Sequence, residues 1–119
     1  MDGFAGRLGV REESAHEGHA HLRFTATQEH LNPAGTVHGG VLATLVDTAM
    51  GLAARSRIGE EDVPATSQLT IAYLSAAQDG DLVIKANVRK TGEHLLLCDA
   101  DIDQDGKPIV HAVATFALL

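Results

Sequence analysis

The feature that most constrains this chain is an almost uncharged stretch at residues 30–54, in which Asp47 is the only formal charge. Residues 37–54 place aliphatic side chains on nearly every side of a predicted helix. A helix that is apolar all round must be buried, either in a protein core or in a membrane. About 18 residues reach only the lower end of a membrane span, and this helix carries His38, Asp47 and three glycines. We therefore predict a central core helix and no membrane association.

The segments on either side of this helix show the patterns of strands. Residues 18–26 alternate between apolar and polar side chains, which is typical of a strand with one buried face. Residues 8–15 are a weaker strand candidate, and Thr36 is the predicted N-cap of the helix. Further strands are predicted at 65–74, 82–89, 93–103 and 108–118, with turns at 80–81, 91–92 and 105–106, the last being Asp-Gly, a strong hairpin signal.

Strands joined by such short turns are antiparallel. The order β-β-α-β-β-β-β therefore predicts an α+β fold, with one antiparallel sheet wrapped around one long helix. One small sheet cannot enclose the whole circumference of an apolar helix, so the uncovered side needs a partner. A two-fold homodimer is the simplest solution for identical chains. A tetramer built as a dimer of dimers is the further expectation.

Length and composition exclude several classes of protein. At 119 residues, the chain is predicted to form a single domain over residues 1–119. It has 9 basic and 16 acidic residues, a formal net charge of -7, which argues against nonspecific nucleic-acid binding. The chain start shows no signal-peptide pattern, so we predict a cytoplasmic location. No dinucleotide-binding or Walker glycine pattern is present.

Asp47 is the residue of the helix that most needs an explanation. Aspartate is a poor residue inside a helix and is rarely buried without a partner. A structural acid would hold a loop amide or an arginine, because ion pairs also perturb acids that have no catalytic role. A functional acid would face a cleft and act as a base or a nucleophile. The sequence leaves both interpretations open.

The first turn of the helix contains the pair Gly39-Gly40, which lowers helix stability relative to alanine. The pair indicates either tight packing of the helix against the sheet or close approach of a substrate to the backbone. The first N–H groups of a helix lack internal partners and are able to hold an oxyanion. His38 and Asp47 are nine residues apart, about 13 Å of helical rise. They therefore meet only if they come from two subunits.

Residues 32–40 read N-P-A-G-T-V-H-G-G and are followed by Asp47. This motif resembles the signature of hotdog-fold acyl-CoA thioesterases of the phenylacetate-degradation (PaaI-like) type, and the resemblance extends over nearly the whole chain. It implies the hotdog fold and the hydrolysis of an acyl- or aryl-CoA thioester to a carboxylic acid and free CoA, without a metal or a redox cofactor. A non-catalytic acyl-CoA binding module on the same fold is the alternative.

The resemblance also implies a role for each matched residue. Asp47 would activate water as a general base or attack the thioester carbonyl as a nucleophile. The Gly39 N–H would polarise that carbonyl. His38 would help to position the thioester, and Asn32 would orient the water or the substrate.

Thr66, in the strand after the helix, matches the position at which the family places a hydroxyl near the nucleophilic water. Ser67 and Thr70 lie close by in the sequence and are alternatives for this role. In a dimer, Asp47 and Thr66 would lie across the interface from the residues between Asn32 and Gly39. The resemblance therefore implies an active site shared by two chains.

Coenzyme A carries several phosphate charges, which an acidic chain must meet with a few local cations. The candidates are Arg55 and Arg57 at the end of the helix and Arg89 and Lys90 at the end of a strand. Without a ligand, all four are ordinary solvated charges. The strand-end pair resembles the family's contacts to the nucleotide, so Arg89 and Lys90, together with Gly40, are the predicted CoA-binding residues. No pattern in the sequence identifies the acyl group.

Two patterns imitate metal sites. Residues 101–106 read D-I-D-Q-D-G, like the first half of an EF-hand loop, but position twelve is Ala112 and no flanking helices are predicted. His19 and His21 share one strand face without an evident third ligand. We predict no metal site. Cys98, the only cysteine, excludes an internal disulfide and is predicted to be an inert core thiol.

Overall fold

The computed structural model describes residues 1–119 and is built around one long helix. The helices are α1 (Gly3–Leu8) and α2 (Gly39–Arg55), and a single 3₁₀ turn spans Gln28–His30. The six strands are β1 (Arg11–His16), β2 (His19–Ala26), β3 (Pro64–Tyr73), β4 (Gly80–Thr91), β5 (Leu95–Gln104) and β6 (Lys107–Leu118). No helix has the length and apolar character that a bilayer crossing requires.

The six strands form one antiparallel sheet in the order β1-β2-β4-β5-β6-β3. After α2 the chain returns to the far edge, where β3 pairs with β6 instead of with its neighbour in sequence. Strands β1 and β3 are therefore the two free edges. Helix α2 contacts all six strands, so the sheet curves around it. The predicted α+β class and central helix are confirmed.

The core lies between α2 and the inner face of the sheet. Seven helix residues are buried: Leu42, Leu45, Val46, Ala49, Met50, Ala53 and Ala54. The strands alternate as their sequences indicate, and β2 buries Ala20, Leu22, Phe24 and Ala26. The opposite side of α2, including Thr44, Asp47, Thr48 and Gly51, stays only half-buried. One sheet thus covers one side of the helix, which is the physical ground on which an oligomer was predicted.

The boundaries differ from the sequence prediction in three places. The N-cap of α2 is His38 and not Thr36, because the His38 side chain accepts the hydrogen bond that defines the cap. Residues 3–8 form the short helix α1, which no pattern indicated. The predicted turn at 80–81 is already strand, since Gly80 and Asp81 pair with β2.

The Asp105-Gly106 hairpin is confirmed, and its geometry explains the residues. Both lie in the left-handed region, with φ of 50° for Asp105 and 79° for Gly106. Two consecutive positive φ values match the right-handed twist of paired strands, and aspartate followed by glycine tolerates them best. This turn joins β5 to β6 and fixes their register.

The lone thiol provides a test of the core. Cys98 is fully buried, and burial, with a smaller contribution from the charge of Asp99, raises the pKa of its thiol to about 11. The thiolate is the reactive form, so we expect no reaction with a disulfide reagent at pH 8 in the native state. One thiol equivalent per chain should react once guanidinium unfolds the protein. Rapid stoichiometric labelling of the native chain would contradict this packing.

Candidate active site

The loop before α2 is organised by the side chain of Asn32. Its Oδ1 accepts from the backbone N–H groups of Ala34 at 3.0 Å and Thr36 at 3.1 Å, and its Nδ2 donates to the Thr36 hydroxyl at 3.0 Å. Gly35 completes the turn with φ of 83°. Asn32 therefore holds the loop in shape. One Nδ2 hydrogen remains for a ligand.

The cap of α2 comes from His38. Its Nδ1 accepts from the Gly40 N–H at 2.8 Å, so a neutral imidazole carries its proton on Nε2. A Cβ on Gly40 would lie 2.9 Å from that same Nδ1. The glycine is needed because the imidazole lies against it. The Gly40 N–H is thus occupied inside the chain.

Gly39 is different from its neighbour. Its N–H has no acceptor in the chain, as expected for the first residue of a helix. The atoms nearest to a Cβ on Gly39 would belong to the Tyr73 phenol, at 3.5 Å, which is an ordinary contact. Tight packing therefore does not require glycine here. Of the two interpretations of this glycine, the geometry favours close approach of a ligand to an unpaired donor.

Asp47 lies on the half-buried side of α2, and its Oδ1 accepts from the Thr66 hydroxyl at 2.7 Å. No arginine, lysine or loop amide contacts this carboxylate. Within this chain the carboxylate therefore holds neither an arginine nor a loop amide, and its one partner is the Thr66 hydroxyl. The second oxygen, Oδ2, has no partner and is available as a base or a nucleophile.

A β-bulge brings Thr66 to Asp47. Thr66 pairs with Phe116 and Gln68 pairs with Thr115, so Ser67 is an extra residue in β3. The extra residue reverses the alternation and turns Thr66 towards the helix beside the buried Phe116. Ser67 instead bonds Thr115 on the outer face. Of the hydroxyls near this point in the sequence, the structure brings Thr66 to the carboxylate.

The predicted site residues fall into two groups within one chain. Asn32, His38 and Gly39 surround the start of α2, whereas Asp47 and Thr66 lie further along it. Gly39 and Asp47 are eight residues apart, about 12 Å of helical rise. Because a nucleophile and an oxyanion donor must lie about 3 Å from the same carbonyl, one chain does not bring the two groups to one substrate atom.

Two members of the first group, Asn32 and Gly39, border a cavity of about 420 Å³. Asn32, Gly39 and Leu42 line it on the helix side, and residues 73–77 close the other side. The lining combines hydrophobic residues with polar groups, and a small-molecule site needs both. Tyr73 is the residue that sequence reasoning missed. The strand pattern could have indicated it: Leu69 and Ile71 alternate with outward residues in β3, and Tyr73 continues this inward series.

The two arginines at the end of α2 are engaged in the chain itself. Arg55 donates to the backbone carbonyls of Gly59 and Asp62 and so closes the loop after the helix. Arg57 donates to the Glu17 carbonyl at 2.7 Å and holds the β1–β2 turn. Both are therefore structural cations.

The strand-end pair is divided. Arg89 is the bulged residue of β4 and forms an ion pair with Asp99 at 2.6 Å, and this hydrogen bond and the charge of Asp99 raise the pKa of the guanidinium. The Lys90 side chain makes no hydrogen bond or ion pair. It borders a second cavity of about 310 Å³ together with Leu95 and Leu97. Lys90 is thus the free cation of the four candidates.

The patterns that imitate metal sites lie on the outer face of the sheet. Asp101 bonds His111 at 2.8 Å, and His19 bonds Asn87 at 2.6 Å. No three histidine, cysteine, aspartate or glutamate side chains are grouped closely enough to hold a metal ion. These residues form cross-strand polar pairs on the surface.

A family model and a curated relative both relate this chain to thioesterases. The family model of the thioesterase superfamily matches residues 34–110. Acyl-coenzyme A thioesterase 13 of Homo sapiens is 37% identical over 91 residues, which cover 75% of this chain and 64% of that protein. The chain thus spans less than two thirds of the length of the curated relatives that it matches first.

Two solved structures share the whole architecture. A phenylacetic acid degradation-related protein of Ralstonia eutropha is similar with a TM-score of 0.89 and 28% identity, covering 95% of this chain and 87% of that one. A hypothetical thioesterase of Streptococcus pneumoniae, solved with coenzyme A, has a TM-score of 0.85 and 30% identity, covering 92% of this chain and 88% of that one. Both are similar over nearly the full chain.

The contrast between the two glycines is testable by unfolding. Gly39→Ala adds a methyl group where there is room, so we expect a gain in unfolding free energy of about 0.5–1 kcal/mol from helix propensity. Gly40→Ala displaces the His38 imidazole and loses the cap, which costs about 1 kcal/mol and cancels that gain. Guanidinium titration of the two variants beside the wild type measures the difference. Equal gains in both variants would contradict the role of His38 as the cap.

Proposed function

The chain belongs to the thioesterase superfamily, and on that premise we propose that it hydrolyses an acyl- or aryl-CoA thioester to a carboxylic acid and free CoA. The resemblance seen at residues 32–40 is thereby confirmed, together with the hotdog fold. The observation that carries the proposal is Asp47, an acid without a cationic partner that is held by the Thr66 hydroxyl. A helix acid in this setting is suited to act as a general base.

The unpaired Gly39 N–H supplies the second catalytic element. In this proposal it donates to the thioester oxygen and stabilises the negative charge that develops there. The N-terminus of α2 adds its positive dipole end to the same effect. Asn32 lines the approach to this donor, and in this proposal Asn32 and His38 orient the thioester.

The two groups act together when two copies of the chain associate. We propose a two-fold homodimer as the minimal active unit, with Asp47 and Thr66 of one copy facing Asn32, His38 and Gly39 of the other. The half-buried side of α2 supports this, because it is the side that carries Asp47. Assembly into a tetramer and a cytoplasmic location stay predictions of the sequence.

The chemical step requires no cofactor. Asp47 removes a proton from water as the water oxygen bonds to the thioester carbon, and the carbonyl electrons move to the oxygen that faces Gly39. When the carbonyl re-forms, the C–S bond breaks and the sulfur leaves with the electron pair. The proton on Asp47 then passes to the thiolate, giving the acid and the free thiol. Because Thr66 occupies Oδ1, Oδ2 is the atom that receives the proton.

Replacement of the carboxylate tests the proposal directly. We expect Asp47→Asn to lower kcat by about 10²- to 10⁴-fold, the usual contribution of a general base, with little change in KM. A thiol-release assay over a panel of acyl-CoA substrates measures both constants.

Asp101→Asn is the matched control, because it makes the same change on the outer face of the sheet and should leave kcat unaltered. Full activity in Asp47→Asn would remove Asp47 from the mechanism. A wild-type chain that binds acyl-CoA without releasing thiol would instead be the binding module that the sequence left as the alternative.

The phosphates of CoA need a cation that is not already paired. The sequence predicted Arg89 and Lys90 together, and the ion pair between Arg89 and Asp99 supports Lys90 as the principal contact. The apolar wall formed by Leu95 and Leu97 beside Lys90 suits the non-phosphate part of the nucleotide. The related Streptococcus pneumoniae protein was solved with coenzyme A, which supports the same ligand here.

Charge reversal at one position tests this contact. We expect Lys90→Glu to raise KM for acyl-CoA about fivefold at low salt with kcat nearly unchanged, and less at high salt because exposed charges are screened. Lys85→Glu, on the same strand beside Asp101, is the control and should leave KM unaltered. If the two reversals have equal effects, net charge and not a specific contact explains the result.

A further inference from the structure

We propose that Tyr73 is a positioning residue that, with His38, clamps the peptide group between Gly39 and Gly40 and so fixes the direction of the Gly39 N–H. The role rests on the proposed thioester hydrolysis, since the Gly39 N–H is the donor that would hold the thioester oxygen. Tyr73 belongs to β3, far from Gly39 in sequence, and no motif of the chain includes it.

The clamp is visible at both polar ends of one peptide group. The Tyr73 hydroxyl donates to the Gly39 carbonyl oxygen at 3.0 Å. On the other side of the same peptide, the Gly40 N–H donates to His38 Nδ1 at 2.8 Å. A peptide group is planar, so hydrogen bonds to its oxygen and its N–H together fix the orientation of the whole plane.

The orientation of this peptide plane affects the direction of the neighbouring Gly39 N–H. The Gly39 N–H belongs to the preceding peptide, and the two planes are joined at the Gly39 Cα. Two consecutive glycines give the first turn of α2 more conformational freedom than any other pair of residues would. Catalysis by a backbone donor depends on its direction before the substrate arrives. The glycines let the substrate approach the backbone, and the two hydrogen bonds of the clamp restrict the conformational freedom that the glycines introduce.

The setting of Tyr73 argues against a purely structural role. The residue is 53% exposed, at the end of an edge strand, so it contributes little to the core. Its ring lines the cavity beside Leu42 and Leu74. A half-exposed phenol gains ordinary hydrogen bonds from water, yet this hydroxyl donates to the carbonyl of Gly39, whose own N–H is unpaired.

Tyr73→Phe removes the hydroxyl and keeps the ring. We expect kcat to fall about tenfold with KM within about twofold, because the oxyanion contact is strongest in the transition state. Thr70→Val is the matched control: it deletes a hydroxyl from the same strand on the outer face, and its kcat should equal that of the wild type. Both variants should unfold at nearly the wild-type guanidinium concentration.

A second measurement does not depend on turnover. In ¹⁵N-labelled protein, amide hydrogen exchange at Gly40 should be about threefold faster or more in Tyr73→Phe than in the wild type, because one end of the clamp is open. Exchange at Gly40 in Thr70→Val should be unchanged.

The outcomes separate this inference from the proposed function. An active wild type with equal kcat in Tyr73→Phe overturns the positioning role and leaves the hydrolysis intact. A rise in KM with unchanged kcat also overturns it, because Tyr73 would then be a contact for the acyl group. If the wild type releases no thiol from any thioester, the proposed hydrolysis fails, and Gly40 exchange alone decides whether the clamp exists. Unchanged exchange in Tyr73→Phe overturns the clamp in every case.

Discussion

Burial of the apolar helix α2 against one curved sheet is the constraint on which the rest of the structure depends. Seven of its residues pack on the inner faces of the strands, and all six strands contact it. This burial stabilises the fold most, because the removal of apolar surface from water is the strongest driving force for a chain to fold. It also fixes the axis of the helix, and therefore the places where its first N–H groups and its single acid face outward.

The candidate site residues are positioned by irregular features of the helix and the strands. A helix begins with two glycines, where propensity favours other residues, and a bulge at Ser67 turns Thr66 to the carboxylate of Asp47. A second bulge, at Arg89, changes the face that the end of β4 presents. Bulges of this kind commonly occur beside functional sites, because an extra residue re-aims the side chains that follow it. The bulges at Ser67 and Arg89 both lie next to residues proposed to bind or activate substrate.

The arrangement also explains how an acidic chain is suited to an anionic ligand. Three of the four candidate cations are already engaged, with backbone carbonyls or with Asp99. Among the candidate site residues, unpaired groups include the Gly39 N–H, one oxygen of Asp47 and the Lys90 ammonium. The first is a hydrogen-bond donor, the second is an acceptor, and the third is a positive charge without a counterion. The proposed function assigns a part of one ligand to each of them, and two copies of the chain are needed to bring the first two together.

The sequence by itself determined the fold class, the central helix, most strands and the identity of the unusual residues, because hydrophobic period and turn chemistry are local properties. It named Asp47 and Gly39 through a motif, and Thr66 through the family resemblance that the motif carries. It missed α1, placed the cap at Thr36, and left Ser67 and Thr70 as rivals of Thr66. Tertiary structure decided these points, since β3 pairs with β6 across the sheet and its bulge has no local signal. The contact between Tyr73 and Gly39 joins residues 34 positions apart, and only the packing of an edge strand against the start of the helix creates it.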